Sequence, residues 1–84
     1  MRKYLYRKEN EIFVQILVDF RTKKGLRQVD LAKKLNVPQS YVSKIEIGQR
    51  HVSILELREI CKKLNITLVD FSKILEEELI KAKL

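Results

Sequence analysis

Gln39, Ser40, Ser43 and Lys44 lie within one short stretch between Pro38 and Ile47, and their types and spacing define a chemistry. A helix turns about 100° per residue; with Gln39 set at zero, Ser43 falls near 40°, Ser40 near 100° and Lys44 near 140°. On the same count Tyr41, Ile45 and Val42 fall near 200°, 240° and 300°. Val42 and Ile45 then face inward, and Tyr41 sits at the boundary. The outward face carries an amide, two hydroxyls and an ammonium. Such groups hydrogen-bond the edges of nucleobases: Gln pairs with adenine through two bonds, Ser with several bases, and Lys reaches guanine or a phosphate. An ordinary amphipathic helix with a solvated polar side has the same periodicity, so the choice rests on what surrounds the stretch.

Immediately upstream, Gln28 to Leu35 reads as a second short helix, with Leu31, Ala32 and Leu35 on one side. Asn36-Val37-Pro38 separates the two. Asn tolerates the left-handed conformation such a turn needs, and Pro38 suits a helix start, where its missing N–H costs nothing. Ala32 lets the two axes approach closely. Two short helices joined this way form a helix-turn-helix, which places the N-terminal end of its second helix, here Gln39 to about Ile47, in the major groove of DNA. Gln28 opens the first helix, where helix N-termini receive phosphates. The loop Gly48-Gln49-Arg50-His51 follows the second. Arg50 is a natural phosphate clamp. His51 adds a backbone contact or is a plain loop histidine.

The elements that must hold this pair are all helical. An all-α domain of five helices is expected over residues 11–84, with residues 1–10 as an arm, an extension of helix 1 or a frayed end. Helix 1 is expected from Glu11 to Lys24, its apolar face formed by Phe13, Ile16, Leu17 and Phe20 and its end capped by Gly25. Helix 4 opens with the capping box Ser53-Ile-Leu-Glu56 and buries Leu57, Ile60, Cys61 and Leu64. Asn65 stops it. Helix 5, expected over 67–82, opens with a weaker box, Thr67 to Asp70. Its stripe of Leu68, Phe71, Ile74, Leu75 and Leu79 is the expected dimer interface.

Composition narrows the function. The chain has 84 residues and a net charge of +7. Residues 1–51 hold 12 Lys/Arg against 5 Asp/Glu, and residues 52–84 hold six of each, so the whole surplus lies with the helix-turn-helix. A one-sided basic surface suits a polyanion. A hydrophobic content of 45% excludes a disordered chain. No apolar run approaches the roughly 18 residues needed to span a membrane, and no signal peptide is expected. The single cysteine, Cys61, excludes an internal disulfide and reads as a buried thiol in a cytoplasmic protein. One His, one Cys and no Gly-rich phosphate loop argue against an enzyme. No cofactor and no metal ligand set are expected. Glu76, Glu77 and Glu78 read as a solvated helix face.

Residues 13–66 resemble the Cro/repressor-type helix-turn-helix family, also called the Xre family. The matching pieces are Lys24-Gly25-Leu26-Arg27-Gln28, Asp30-Leu31-Ala32, Val37 through Glu46, and Gly48-Gln49-Arg50. The resemblance, which extends to small restriction–modification controller proteins and phage-type repressors, implies a five-helix lambda-repressor-like domain. It implies a transcriptional regulator that binds double-stranded operator DNA as a homodimer. Carried onto this chain, it puts base contacts at Gln39, Ser40 and Lys44, with Ser43 nearby, and backbone contacts at Gln28, Tyr41, Arg50 and His51. Gln49 and Arg27 adjoin that set. It also implies a structural ion pair between Arg21 and Glu46. The chain departs from the pattern at Arg27, where Ser or Thr usually caps helix 2, and at Val18, where a basic residue is common. Arg27 could compensate by binding a phosphate, although the helix dipole there disfavours a cation.

A second function class stays open at this point: an antitoxin-type module that masks a protein partner and autoregulates its operon. The sequence does not decide between a toxin, RNA polymerase or no protein partner.

Overall fold

A computed structural model describes residues 6–84, which form five helices and no strand. They are α1 (Arg7–Lys23), α2 (Gln28–Leu35), α3 (Gln39–Glu46), α4 (Ile54–Lys63) and α5 (Leu68–Lys81). The principal difference from the sequence reading is the start of α1, which lies at Arg7 and not at Glu11. The Asn10 amide already donates to the Tyr6 carbonyl at 2.8 Å, and Arg7 pairs with Glu11 one turn on. Glu9 in the first turn also suits the positive end of the helix dipole. Residues 7–10 are therefore helix, an extension of helix 1 and not an arm, and the remainder of the expected segment, residues 1–5, lies outside the described residues. No helix of the described residues is long and apolar enough to cross a membrane.

The first four helices end in the same way, and α5 repeats it at Lys83, where φ is 60° and the Leu84 N–H reaches the Leu79 carbonyl at 3.0 Å. Gly25, Asn36, Gly48 and Asn65 adopt positive φ of 72°, 59°, 80° and 58°. Next to each, a backbone N–H reaches back to a helix carbonyl: Leu26 to Arg21, Val37 to Ala32, Gln49 to Lys44 and Ile66 to Cys61, all within 2.8–3.1 Å. This satisfies carbonyls that a helix end otherwise orphans. In three of the four, the residue after the left-handed position is apolar (Leu26, Val37, Ile66) and packs on the core. Glycine and asparagine suit that position because a Cβ raises the cost of the conformation for most residues; Lys83 is the exception.

The helix starts differ in their caps. Ser53 Oγ accepts the Glu56 N–H at 3.1 Å while Glu56 Oε1 accepts the Ser53 N–H at 2.7 Å, the full reciprocal box. Thr67 forms only its own half, accepting the Asp70 N–H at 3.0 Å. At α2, Arg27 has no side-chain acceptor to offer. Asp30 instead accepts the Arg27 N–H at 2.8 Å and two guanidinium N–H bonds at 3.0 Å. Those bonds hold the Asp30 carboxyl down at about 2 and raise Arg27. Asp30 also neutralises the cation that the α2 dipole disfavours.

The core is assembled from every helix: Ile16 and Leu17, Leu31 and Ala32, Val42 and Ile45, Leu57, Ile60, Cys61 and Leu64, and Phe71. Ala32 is 1% exposed at the junction of α2 and α3, where a larger side chain would force them apart. Cys61 is fully enclosed, and burial pushes its thiol up to about 11, as befits an inert packing group. Phe71 corrects one expectation. It is 0% exposed and lies between Phe13 and Phe20 at ring-centroid distances of 5.7 and 6.1 Å. It belongs to the subunit's own core and has no surface to give a dimer contact. Leu68, Ile74 and Leu75 pack against that core but keep exposed area, and Leu79 is half-buried.

Candidate nucleic-acid interface

The recognition surface begins with how α3 is seated. Val42 and Ile45 are 2% and 3% exposed and plug into the core. The helix cannot rotate without expelling both. Gln39, Ser40 and Lys44 are exposed on the far side, Ser43 is half-buried, and Tyr41 lies at the edge. Gln39, Ser40 and Lys44 thus lie open to solvent, with Ser43 partly covered beside them.

A buried hydrogen-bond chain locks that face to the scaffold. Arg21 Nε and Nη2 donate to the two Glu46 carboxylate oxygens at 2.7 and 2.9 Å, and Arg21 Nη1 donates to the Leu26 carbonyl at 2.8 Å. The two side chains are only 11% and 8% exposed. Gln28 Nε2 also donates to Glu46 Oε1 at 2.9 Å, and Gln28 Oε1 accepts the Gln39 amide at 3.4 Å. The chain runs from α1 through the last residue of α3 to the first residue of α2, and ends on the first residue of α3. Every polar atom buried in it has a partner, which an interior charge pair requires. Gln28 is therefore engaged at both ends of its amide, a coupling that spacing alone does not disclose. The Gln39 bond is long, so that side chain is steered but can still turn to a base.

A second cluster surrounds Arg50. Its backbone N–H and that of Gln49 both donate to the Lys44 carbonyl, at 3.1 and 2.8 Å, which fixes the loop beneath the end of α3. The guanidinium carbon stands 4.5 Å from the Tyr41 ring centroid. Arg50 Nη2 donates to Glu56 Oε2 at 2.7 Å, and the Tyr41 hydroxyl donates to the same oxygen at 3.1 Å. Partial burial raises the Tyr41 phenol, whereas the Ser53 amide and then the Tyr41 hydroxyl lower Glu56. Sequence reasoning read Glu56 only as a capping residue. Its second oxygen has a separate task that the Ser-x-x-Glu spacing does not reveal. Gln49 and His51 are exposed on the same loop. Arg27 is exposed too, but its guanidinium is engaged by Asp30, so a phosphate there would compete with an internal carboxylate.

Among the described residues no group of three or more His, Cys, Asp or Glu gathers as a metal site. The geometry offers instead a seated helix with a hydrogen-bonding face and cationic flanks, and among the described residues nothing covers Gln39, Ser40 or Lys44.

The family model described as "Helix-turn-helix" matches residues 17–71. Among solved structures, the wild-type restriction–modification controller protein C.Esp1396I is similar at 33% identity and a TM-score of 0.78, over 87% of this chain and 95% of that one. The C.Esp1396I tetramer in complex with its natural 35 base-pair operator is similar at 32% identity and a TM-score of 0.77, over 86% and 95% of the two chains. The clp gene regulator ClgR from Corynebacterium glutamicum is similar at 25% identity and a TM-score of 0.77, over 89% and 80%. No curated protein matches the sequence. The family match spans the seated α3, the locking ion pair and the core around Phe71, and the whole-chain likeness is to regulators. The chain belongs to the Xre-type helix-turn-helix family of DNA-binding transcriptional regulators.

Proposed function

We propose that this protein is a sequence-specific regulator that binds a palindromic operator as a homodimer, with α3 in the major groove. The observation that carries the reading is the exposed Gln39–Ser40–Lys44 face on a helix whose opposite side is buried through Val42 and Ile45 and whose last residue, Glu46, is paired with Arg21. Gln39 and Ser40 stand at the N-terminal end, which enters the groove deepest, and read base edges. Ser43 lies beside them. Lys44 reaches a base or a phosphate. Tyr41, Gln49, Arg50 and His51 line the flank that meets the sugar-phosphate backbone, and Gln28 meets it at the start of α2. Arg21 and Glu46 act through position, not through contact.

The assembly state of C.Esp1396I on its operator supports an oligomeric form here. Leu68, Ile74, Leu75 and Leu79 remain the proposed contact surface. Val69 and Ile80, 76% and 63% exposed, lie on the same helix. They are separated by about 20° in helical projection and form a second, smaller apolar patch on α5, set off from the core-covering arc by Ser72 and Glu76. A cytoplasmic setting fits the lone, enclosed thiol. Masking of a toxin, the other reading the sequence allowed, has no observation in its favour.

Selection of duplexes from a random pool tests the reading. The expected winner is a palindrome with half-sites about one helical turn apart. On that duplex Gln39→Ala loses about 1–3 kcal/mol and spares random DNA. Equal losses on both duplexes would remove Gln39 from the base readers, and a pool that never enriches would remove the function.

A further inference from the structure

We infer that Glu56 is a built-in competitor for DNA phosphate, which occupies the backbone clamp formed by Tyr41 and Arg50 and lowers the affinity of the protein for every duplex. This rests on the DNA-binding reading above and adds a residue which that reading does not use.

The clamp has the composition of a phosphate site. A phenol hydroxyl and a guanidinium, both hydrogen-bond donors, converge on one point from the first turn of the recognition helix and from the loop after it. That point is occupied by Glu56 Oε2, at 3.1 Å from the hydroxyl and 2.7 Å from Arg50. A carboxylate and a DNA phosphodiester share the relevant features: one negative charge spread over two oxygens, each able to accept strong charge-assisted bonds. Glu56 can fill the site because it is anchored elsewhere. Its other oxygen accepts the Ser53 N–H at 2.7 Å, in the capping box that starts α4. The Tyr41 ring supports the guanidinium from the side, so Arg50 is held against the carboxylate on two fronts.

Two consequences follow for binding. Arg50 and Tyr41 must leave Glu56 to reach a phosphate, so part of each new contact replaces an old one. Glu56 also stays near the incoming backbone as an uncompensated like charge. Both effects are independent of base sequence. Both also reduce the net number of counterions released, since a cation already neutralised inside the protein adds less to the salt dependence.

Glu56→Gln tests this without dismantling α4, because Gln serves at the same place in a capping box. Affinity is measured on a random duplex over a salt series for the intact protein, Glu56→Gln and Glu56→Asp. Glu56→Gln is expected to bind about three- to tenfold tighter, with a salt slope steeper by about 0.9. Glu56→Asp keeps the charge and is expected to stay within about twofold of the parent. In an Arg50→Ala background the Glu56→Gln gain should shrink, since competition for the cation is then gone and only the like-charge repulsion of Glu56 is left to relieve. Helical content and unfolding midpoint are followed for each variant, so that a fold defect is seen directly. If Glu56→Gln binds no tighter than the parent, or Glu56→Asp gains as much, charge competition is excluded and Glu56 orients Arg50 instead. If the parent binds no duplex even at low salt, the DNA-binding reading falls and this inference with it.

Discussion

Arg21→Ala is expected to destabilise the domain by about 3–5 kcal/mol, because it strands the Glu46 carboxylate in a largely dry interior with only the Gln28 amide as a partner. Glu46→Ala should cost a similar amount, since it leaves the guanidinium unpaired. The double substitution should cost much less than the sum, because neither charge then remains to be stranded. Urea unfolding with an unchanged slope would report these losses as stability and not as a change in the denatured state. A loss under about 1 kcal/mol for either single variant would place the pair in the range of exposed ion pairs and remove its locking role. The functional effect follows from the geometry. Glu46 is the last residue of α3 and shares an oxygen between Arg21 and Gln28, so loosening it frees the helix that carries Gln39 and Lys44.

Phe71→Ala is expected to cost about 3–5 kcal/mol, the range for truncating an enclosed aromatic ring. Phe71 is 0% exposed, meets Phe13 edge-on at an interplanar angle of 72° and tilts against Phe20. It joins α5 to α1, and with it the platform beneath Arg21. A small domain holds roughly 5–15 kcal/mol in total, so the midpoint of thermal unfolding should fall by at least about 12 °C. A fall under about 4 °C would show that α5 is dispensable to the core, contrary to the packing described. The same measurement on Leu79→Ala should show a smaller loss, since that side chain keeps exposed area.

Much of this arrangement was legible in the residues. The faces of α3 followed from the spacing of Val42 and Ile45. The turn was marked by Asn36 and Pro38, and the start of α4 by Ser53 and Glu56. Ala32 and the α4 stripe read correctly because small and branched side chains at helical spacing have few other uses. The Arg21–Glu46 pair was different: residues 25 apart in sequence meet only after folding, and resemblance, not periodicity, suggested it. The sequence leaves the start of α1 open between Glu11 and an extension into residues 1–10, because Arg7 to Asn10 is polar throughout and carries no apolar period, while its helicity rests on backbone bonds and an exposed ion pair. Phe71 was assigned to a dimer surface because a helical stripe does not say which of its members face the subunit's own core. The double engagement of Gln28 and the second use of Glu56 left no signal in the sequence. Both depend on how side chains from separate helices converge.

The most direct test is chemical-shift mapping of the protein titrated with its selected duplex. The largest changes should fall on the backbone and side-chain amides of Gln39, Ser40 and Lys44, followed by Gln28 and the Gln49–His51 loop. Changes confined to α4 and α5, with the α3 amides unmoved, would contradict the claim that this helix touches the bases.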